Sequence, residues 1–269
     1  MADEPPLVRH YLEFCRYRNG ADKQHCVDLS DAKWLYPTTI LPIVGLIISK
    51  GPGFKYKRPK NPAVSRYLSV VTGQPPHNNA SSFIPIIRAE RLDDSYIEQI
   101  YKLIAHGHAI SAMNALKYII GELVANIDEH SKCNDSSFMA QNYKKMGFME
   151  AAFFDNGITI PGSFREAGLY KDGMTDADCI RDAVGGISTK PEGGRGHGLP
   201  STTKILKDMN SDILIVSGGG AAYLNGTDKY LNEDMLYNLD EFSSLDGTLI
   251  SFQMHLPIHH IDIYEGGYL

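Results

Sequence analysis

Between Asp93 and Ser131 apolar residues recur at intervals of three and four: Ile97, Ile100, Leu103 and Ile104, then Leu116, Ile119, Ile120, Leu123 and Val124. Side chains at that spacing share one face of a helix, so the run predicts two helices, each burying an apolar stripe against something flat. A partner surface lies downstream. The segment FMEAAFFD alternates and is aromatic, which predicts a strand ending at Asp155. STTKILKDM reads as a helix, DILIVSG and AAYLNG as a hairpin, and GTLISFQMHLP as a last strand. Helices first and antiparallel strands later predict an α/β sandwich with helices on one face of the sheet.

Upstream, proline, glycine and asparagine are dense from Gly51 to Ser82, in GPG, RPKNP and GQPPHNNASS, and mark a boundary. The expected division is a small α/β domain over residues 1–90 and a larger domain over residues 91–269. In the first, CVDL reads as a short strand and WLYPTTILPIVGLII as a turn into a buried element; FIPIIRA at the junction reads as a strand. The 269 residues, 43% of them hydrophobic, suffice for one large domain or two modest ones.

Composition narrows the function classes. Thr38 to Ser49 is the most apolar run, but it contains Pro42 and falls short of the about 20 residues that span a bilayer. The N-terminus MADEPPLVRH is acidic, with no apolar signal segment behind it. Cys15, Cys26, Cys133 and Cys179 lie far apart with no C-x-x-C pair, so neither a structural zinc site nor a disulfide framework is expected, and a reducing cytoplasm fits best. A formal charge of −6 argues against binding nucleic acid through overall positive charge. The one basic cluster, Lys55, Lys57, Arg58 and Lys60, is interleaved with prolines and reads as a solvated loop.

Four short motifs follow one another. Glu122, Asn126 and His130 are each four residues apart and so share a helix face; a carboxylate, an amide and an imidazole in a row suit metal phosphate chemistry, although an ordinary polar helix face looks the same. Asn126 offers an oxygen to Mg²⁺, a hard cation that takes oxygen ligands, and Glu122 is placed to orient or deprotonate an attacking water or hydroxyl. Asp155-Asn156-Gly157-Ile158-Thr159-Ile160 follows a strand: a carboxylate accepts from an exocyclic amine, and a glycine permits close approach to the backbone, though D-N-G is also a hairpin signal. Gly194-Arg195-Gly196-His197-Gly198-Leu199 precedes a helix, so exposed N–H groups and the positive end of the helix dipole meet at a natural phosphate site. The glycine spacing matches neither the Rossmann fingerprint nor a P-loop. Gly247-Thr248 opens the last strand. Residues from about Pro161 to Gly193 read as a mobile lid, in which Lys190 either reaches a terminal phosphate or is simply solvated.

In this order and these contexts the four motifs resemble the N, G1, G2 and G3 boxes of the GHKL superfamily of ATPases and kinases, which includes DNA gyrase, the MutL repair protein, heat-shock chaperone ATPases, histidine kinases and anti-sigma-factor kinases. The resemblance covers roughly 150 residues. It implies a Bergerat-type α/β sandwich, ATP and Mg²⁺ as cofactors, Asn126 as metal ligand, Glu122 as catalytic base, and an ATP pocket formed by Asn126, His130, Asp155, Gly157, Ile160, Lys190, Gly194 to Leu199 and Thr248. Asp155 then holds the adenine amine, and Thr248 contacts that carboxylate and a water beside it. CVDLSDAKWLYPTTILPIVGLI faintly resembles a STAS domain, which places Thr38 or Thr39 in the slot of a phosphorylatable serine.

A histidine kinase needs a helical phosphoacceptor domain with its histidine well upstream, and His106 and His108 sit too close to the Glu122–Asn126 motif to serve, which disfavours that class. The expected function is a stand-alone ATPase whose lid and N-terminal domain change arrangement with nucleotide state to regulate a partner protein; ATP and ADP are the expected ligands, and a protein partner or a second copy in a homodimer is the expected association. A serine/threonine kinase of the anti-sigma type and a non-catalytic ATP sensor are the alternatives.

Overall fold

The computed structural model describes residues 4–21, 25–73, 82–89, 93–104, 110–189, 198–226, 234–259 and 261–264. Three helices dominate the N-terminal part: α1 (Pro6–Ala21), α2 (Pro37–Lys50) and α3 (Pro62–Val71), with the short strands β1 (Cys26–Asp28) and β2 (Lys55–Lys57) paired in parallel between them. A proline starts each of these helices, where a missing N–H costs nothing, and Asn61 caps α3 by accepting the Ala63 N–H. CVDL is therefore β1, and the buried element after WLY is a helix.

The remaining strands are β3 (Phe83–Arg88), β4 (Ser136–Tyr143), β5 (Phe148–Asp155), β6 (Ser211–Gly218), β7 (Gly220–Leu224), β8 (Met235–Asn238) and β9 (Leu245–His255). They form one antiparallel sheet in the order β3-β4-β5-β9-β6-β7-β8. The expected hairpin is β6–β7, and the expected last strand is β9. The periodic stretch becomes α4 (Asp94–Ile104) and α5 (Ile110–Asn126), the latter running into a π-helical turn over Ile127–Ser131. After β5 come α6 (Ile160–Glu166), α7 (Asp176–Val184) and α8 (Gly198–Asp208). None of the helices among the described residues is long and apolar enough to cross a membrane.

The expectation of helices on one face is corrected: both faces are covered. One core joins α4, α5 and α8 to Phe138, Met149, Ala151, Phe153, Ile213 and Phe252. A second joins α1, α2 and α3 to Met139, Ala152, Phe154, Leu214, Val216 and Leu249. The reason lies in FMEAAFFD, whose two alternating sets are both largely apolar, so all eight residues of β5 are buried and each set needs its own cover. Residues 1–90 thus share a core with the large sheet, and β3, inside that range, is its edge strand. Helix α2 lies flush on β5 at Gly45, where a β-carbon would stand 2.1 Å from the Phe154 ring.

Polar side chains fasten this layer. Glu150, fully buried on β5, accepts hydrogen bonds from Thr38 N–H at 3.1 Å, Thr38 Oγ1 at 2.7 Å and Gln253 Nε2 at 2.9 Å. His10 Nδ1 stands 2.9 Å from Glu150 Oε2, an ion-pair contact rather than an aligned hydrogen bond. Burial alone raises a carboxyl pKa, but the attraction of His10 and the donors of Thr38 and Gln253 outweigh it and hold Glu150 below its ordinary value. Thr38 and Thr39 are both buried, and Thr39 Oγ1 donates to the His10 carbonyl, so neither hydroxyl is presented to solvent.

The range expected as a lid is, as far as residue 189, built from α6 and α7. Thr175 and Asp178 form a capping box at the start of α7. Asp176 accepts from Arg165 at 2.6 Å and from the Gly219 N–H at 2.8 Å, tying α7 to α6 and to the β6–β7 turn. Local caps and this three-way carboxylate contact explain why a glycine- and charge-rich stretch is helical.

Candidate functional site

The C-terminal end of α5, the C-terminal end of β5 and the first turn of α8 converge on a cleft of about 930 Å³ that opens to solvent. Phe153, Ile158 and Ile250 give it apolar walls. Of the residues singled out in the sequence, Asn126, Asp155, Ile160, Gly198, Leu199 and Thr248 line it.

At one end the face of α5 meets α8. A β-carbon built on Gly198 would lie 2.7 Å from Glu122 Oε2 and 3.5 Å from Asn126 Oδ1, so both side chains crowd the N-terminus of α8. Two hard oxygens thus sit where the first N–H groups of an 11-residue helix have no intrahelical acceptors. Among the described residues no three His, Cys, Asp or Glu side chains gather as a metal cluster. An oxygen pair of this kind fits Mg²⁺, which commonly binds proteins through one or two side chains and completes its shell with water and substrate phosphate.

At the other end Asp155 is 5% exposed and, among the described residues, accepts one hydrogen bond, from the Gly157 N–H at 2.9 Å. Burial pushes its pKa up to about 7, only partly countered by that N–H. The strand register places Thr248 directly across from Asp155. Gly247, at φ +106, lets β9 pass within touching distance of β5: a β-carbon there would stand 1.9 Å from the Asp155 carbonyl.

Gly157 is demanded by the chain itself. Its β-carbon would fall 1.9 Å from the Ser131 carbonyl, which the neighbouring Ile158 N–H contacts at 2.5 Å. The close backbone approach expected there for a ligand is therefore made by the end of the α5 extension. The π-helical turn explains how: it widens the helix, Ser131 Oγ donates to the Ile127 carbonyl at 2.6 Å, and Lys132 ends the run in the left-handed region. Ser131 is thereby set in the cleft wall.

His130 lies in this turn, and nothing further is described of its side chain. Lys190, Gly194, Arg195, Gly196 and His197 lie outside the described residues.

Sequence reasoning missed Ser131, Phe153, Phe164 and Ile250 in the cleft wall. Phe153 and Ile250 had a signal: each lies two residues from a motif residue on the same strand, hence on the same face. Ser131 had none, because helical periodicity does not anticipate a π-turn, and Phe164 reaches the cleft from α6, which was expected to be loop.

Comparison with protein-family models, with curated protein sequences and with solved structures yields no match.

Proposed function

We propose that the cleft binds ATP with Mg²⁺ and that the chain is an ATPase of the Bergerat type, acting as a nucleotide-dependent regulator of a partner protein. The observation that carries this reading is that Asn126, Asp155, Gly198 and Thr248, one described residue from each of four separated motifs, line one cleft, with a buried carboxylate at one end and two oxygens beside a helix N-terminus at the other. Asp155 accepts from the adenine amine, the apolar walls take the faces of the base, and the start of α8 receives phosphate through its N–H groups. Asn126 holds Mg²⁺, which neutralises phosphate charge when bound. Glu122, beside Asn126, takes the proton of an attacking water. Helices α6 and α7 cover the cleft and shield that step from bulk solvent.

The test separates binding from chemistry. Calorimetric titration should show Mg·ATP binding to wild type and to Glu122→Ala with nearly equal affinity, since only interactions specific to the transition state govern turnover. Single-turnover phosphate release should fall by ~10²–10⁴-fold in the variant, the usual contribution of a general base. Failure of wild type to bind Mg·ATP overturns the reading of the cleft. Binding with equal phosphate release by both proteins removes Glu122 from the chemistry.

A further inference from the structure

Asp155, Thr248 and Ser217 stand in one row across three adjacent strands. The β5–β9 register pairs Asp155 with Thr248, and the β6–β9 register pairs Thr248 with Ser217. Such cross-strand partners project from the same face with β-carbons about 5 Å apart. The first two line the cleft; Ser217 is fully buried behind them. Its Oγ accepts the Ile160 N–H at 2.8 Å, lies 2.9 Å from Thr248 Oγ1 and lies 3.4 Å from the Gly247 carbonyl. One hydroxyl therefore joins the start of α6 to the Gly247-Thr248 pair, which lies two residues inside β9 rather than at its start.

Counting protons shows what this hydroxyl controls. A serine hydroxyl has one proton and two lone pairs, and the Ile160 N–H occupies one lone pair. If the Ser217 proton goes to the Gly247 carbonyl, the second lone pair takes the Thr248 proton, and Thr248 turns its own lone pairs to the cleft. If Ser217 donates instead to Thr248 Oγ1, at the shorter of the two distances, the Thr248 proton is free to turn toward the cleft beside Asp155. The second arrangement sets an acceptor and a donor side by side. That pair complements the edge of adenine, an amine donor at N6 beside the N1 acceptor. Hypoxanthine carries the reverse, an oxygen acceptor at position 6 beside an N1–H donor.

We propose that Ser217 is a positioning residue that turns the Thr248 hydroxyl toward the cleft as a donor and so sets a preference for adenine over hypoxanthine. The inference rests on reading the cleft as a nucleotide site. Ser217→Ala leaves Asp155 and Thr248 in place but removes the partner that orients Thr248; Ser217→Cys keeps the volume closely and only a weak donor.

The experiment is competitive titration of Mg·ATP and Mg·ITP against wild type, Ser217→Ala, Ser217→Cys, Thr248→Val and the Ser217→Ala/Thr248→Val double variant. The ratio of ATP to ITP affinity should fall about tenfold in Ser217→Ala, as expected for one oriented hydrogen bond. Ser217→Cys should fall between wild type and Ser217→Ala. Thr248→Val should lose the same ratio, and the double variant no more than either single one. Equal loss of both nucleotides in the Ser217 variants, with the ratio kept, makes Ser217 a merely structural group and overturns the inference alone. A wild type that binds neither nucleotide overturns the reading of the cleft, and this inference with it. Should Ser217→Ala not fold, an unchanged ratio in Ser217→Cys and Thr248→Val has the same overturning force.

Discussion

Glu150 and Asp155 are both buried carboxylates on β5, an odd number of residues apart and therefore on opposite faces of the sheet. Glu150 has donors from Thr38 and Gln253 and a histidine at ion-pair distance, and its pKa lies below the ordinary value. Asp155 has one donor among the described residues, and burial drives its pKa to about 7. Both are removed from water at a cost that only partners can offset. The carboxylate with a full set of partners closes the molecule on itself. The one with a single backbone partner faces a cleft and is the group to which a ligand amine adds most. Partner count, and not burial, separates the fastening from the carboxylate proposed to bind a ligand on the same strand.

The largest expected effect strikes the fastening. Glu150→Gln places a neutral amide among Thr38, Gln253 and His10, and breaking a buried ionic network of this kind costs about 3–5 kcal/mol. Urea unfolding at pH 7 measures it. A loss under ~1 kcal/mol would mean that the network contributes no more than a surface pair and would dissolve the contrast. The second effect falls on the cleft. On the proposed reading of the cleft, Asp155→Asn puts a donor where the adenine amine needs an acceptor and should weaken adenosine binding by about 1–3 kcal/mol, while leaving the ligand-free protein at pH 8 no less stable than wild type. Calorimetry and unfolding on the same variant check both halves, and a destabilised variant with intact binding would reverse the roles of the two carboxylates.

The smallest effect is a slope with pH, and its sign differs between the two groups. Asp155 has a folded-state pKa raised from 3.8 to about 7, so its contribution to stability is fully present below 3.8 and is lost as pH rises through 7. Glu150 is lowered from 4.5, so its contribution is present above 4.5 and is lost as pH falls through its folded value. Between pH 5 and pH 7, wild type should lose stability relative to Asp155→Asn by no more than ~1.4 kcal/mol per pH unit. Glu150→Gln keeps Asp155 and should retain the Asp155 contribution to that slope, which Asp155→Asn lacks. Unfolding series for the three proteins sharpen the comparison, and parallel curves for wild type and Asp155→Asn would show that Asp155 titrates as an ordinary solvated carboxylate.

Local order was the legible part of this protein. Helical spacing from Asp93 to Ser131, the aromatic strand ending at Asp155, the β6–β7 hairpin and the last strand are all written within short windows, where periodicity of three to four or of two decides the element. The same windows point to Asn126, Asp155, Gly198 and Thr248, which the structure brings to one cleft. Tertiary structure decided what those windows do not contain. That the sheet is covered on both faces follows from α1 and α2 meeting Ala152 and Phe154 more than a hundred residues away, and no local pattern states which helix an apolar strand face will meet. Ser217 enters only through the strand order, because it is the β6–β9 register that sets its hydroxyl against Thr248. Glu150 reads in the sequence as one charge in an apolar strand. Only the folded chain, by bringing Thr38, His10 and Gln253 around it, decides that it holds the molecule together while Asp155, five residues on, is left facing the cleft.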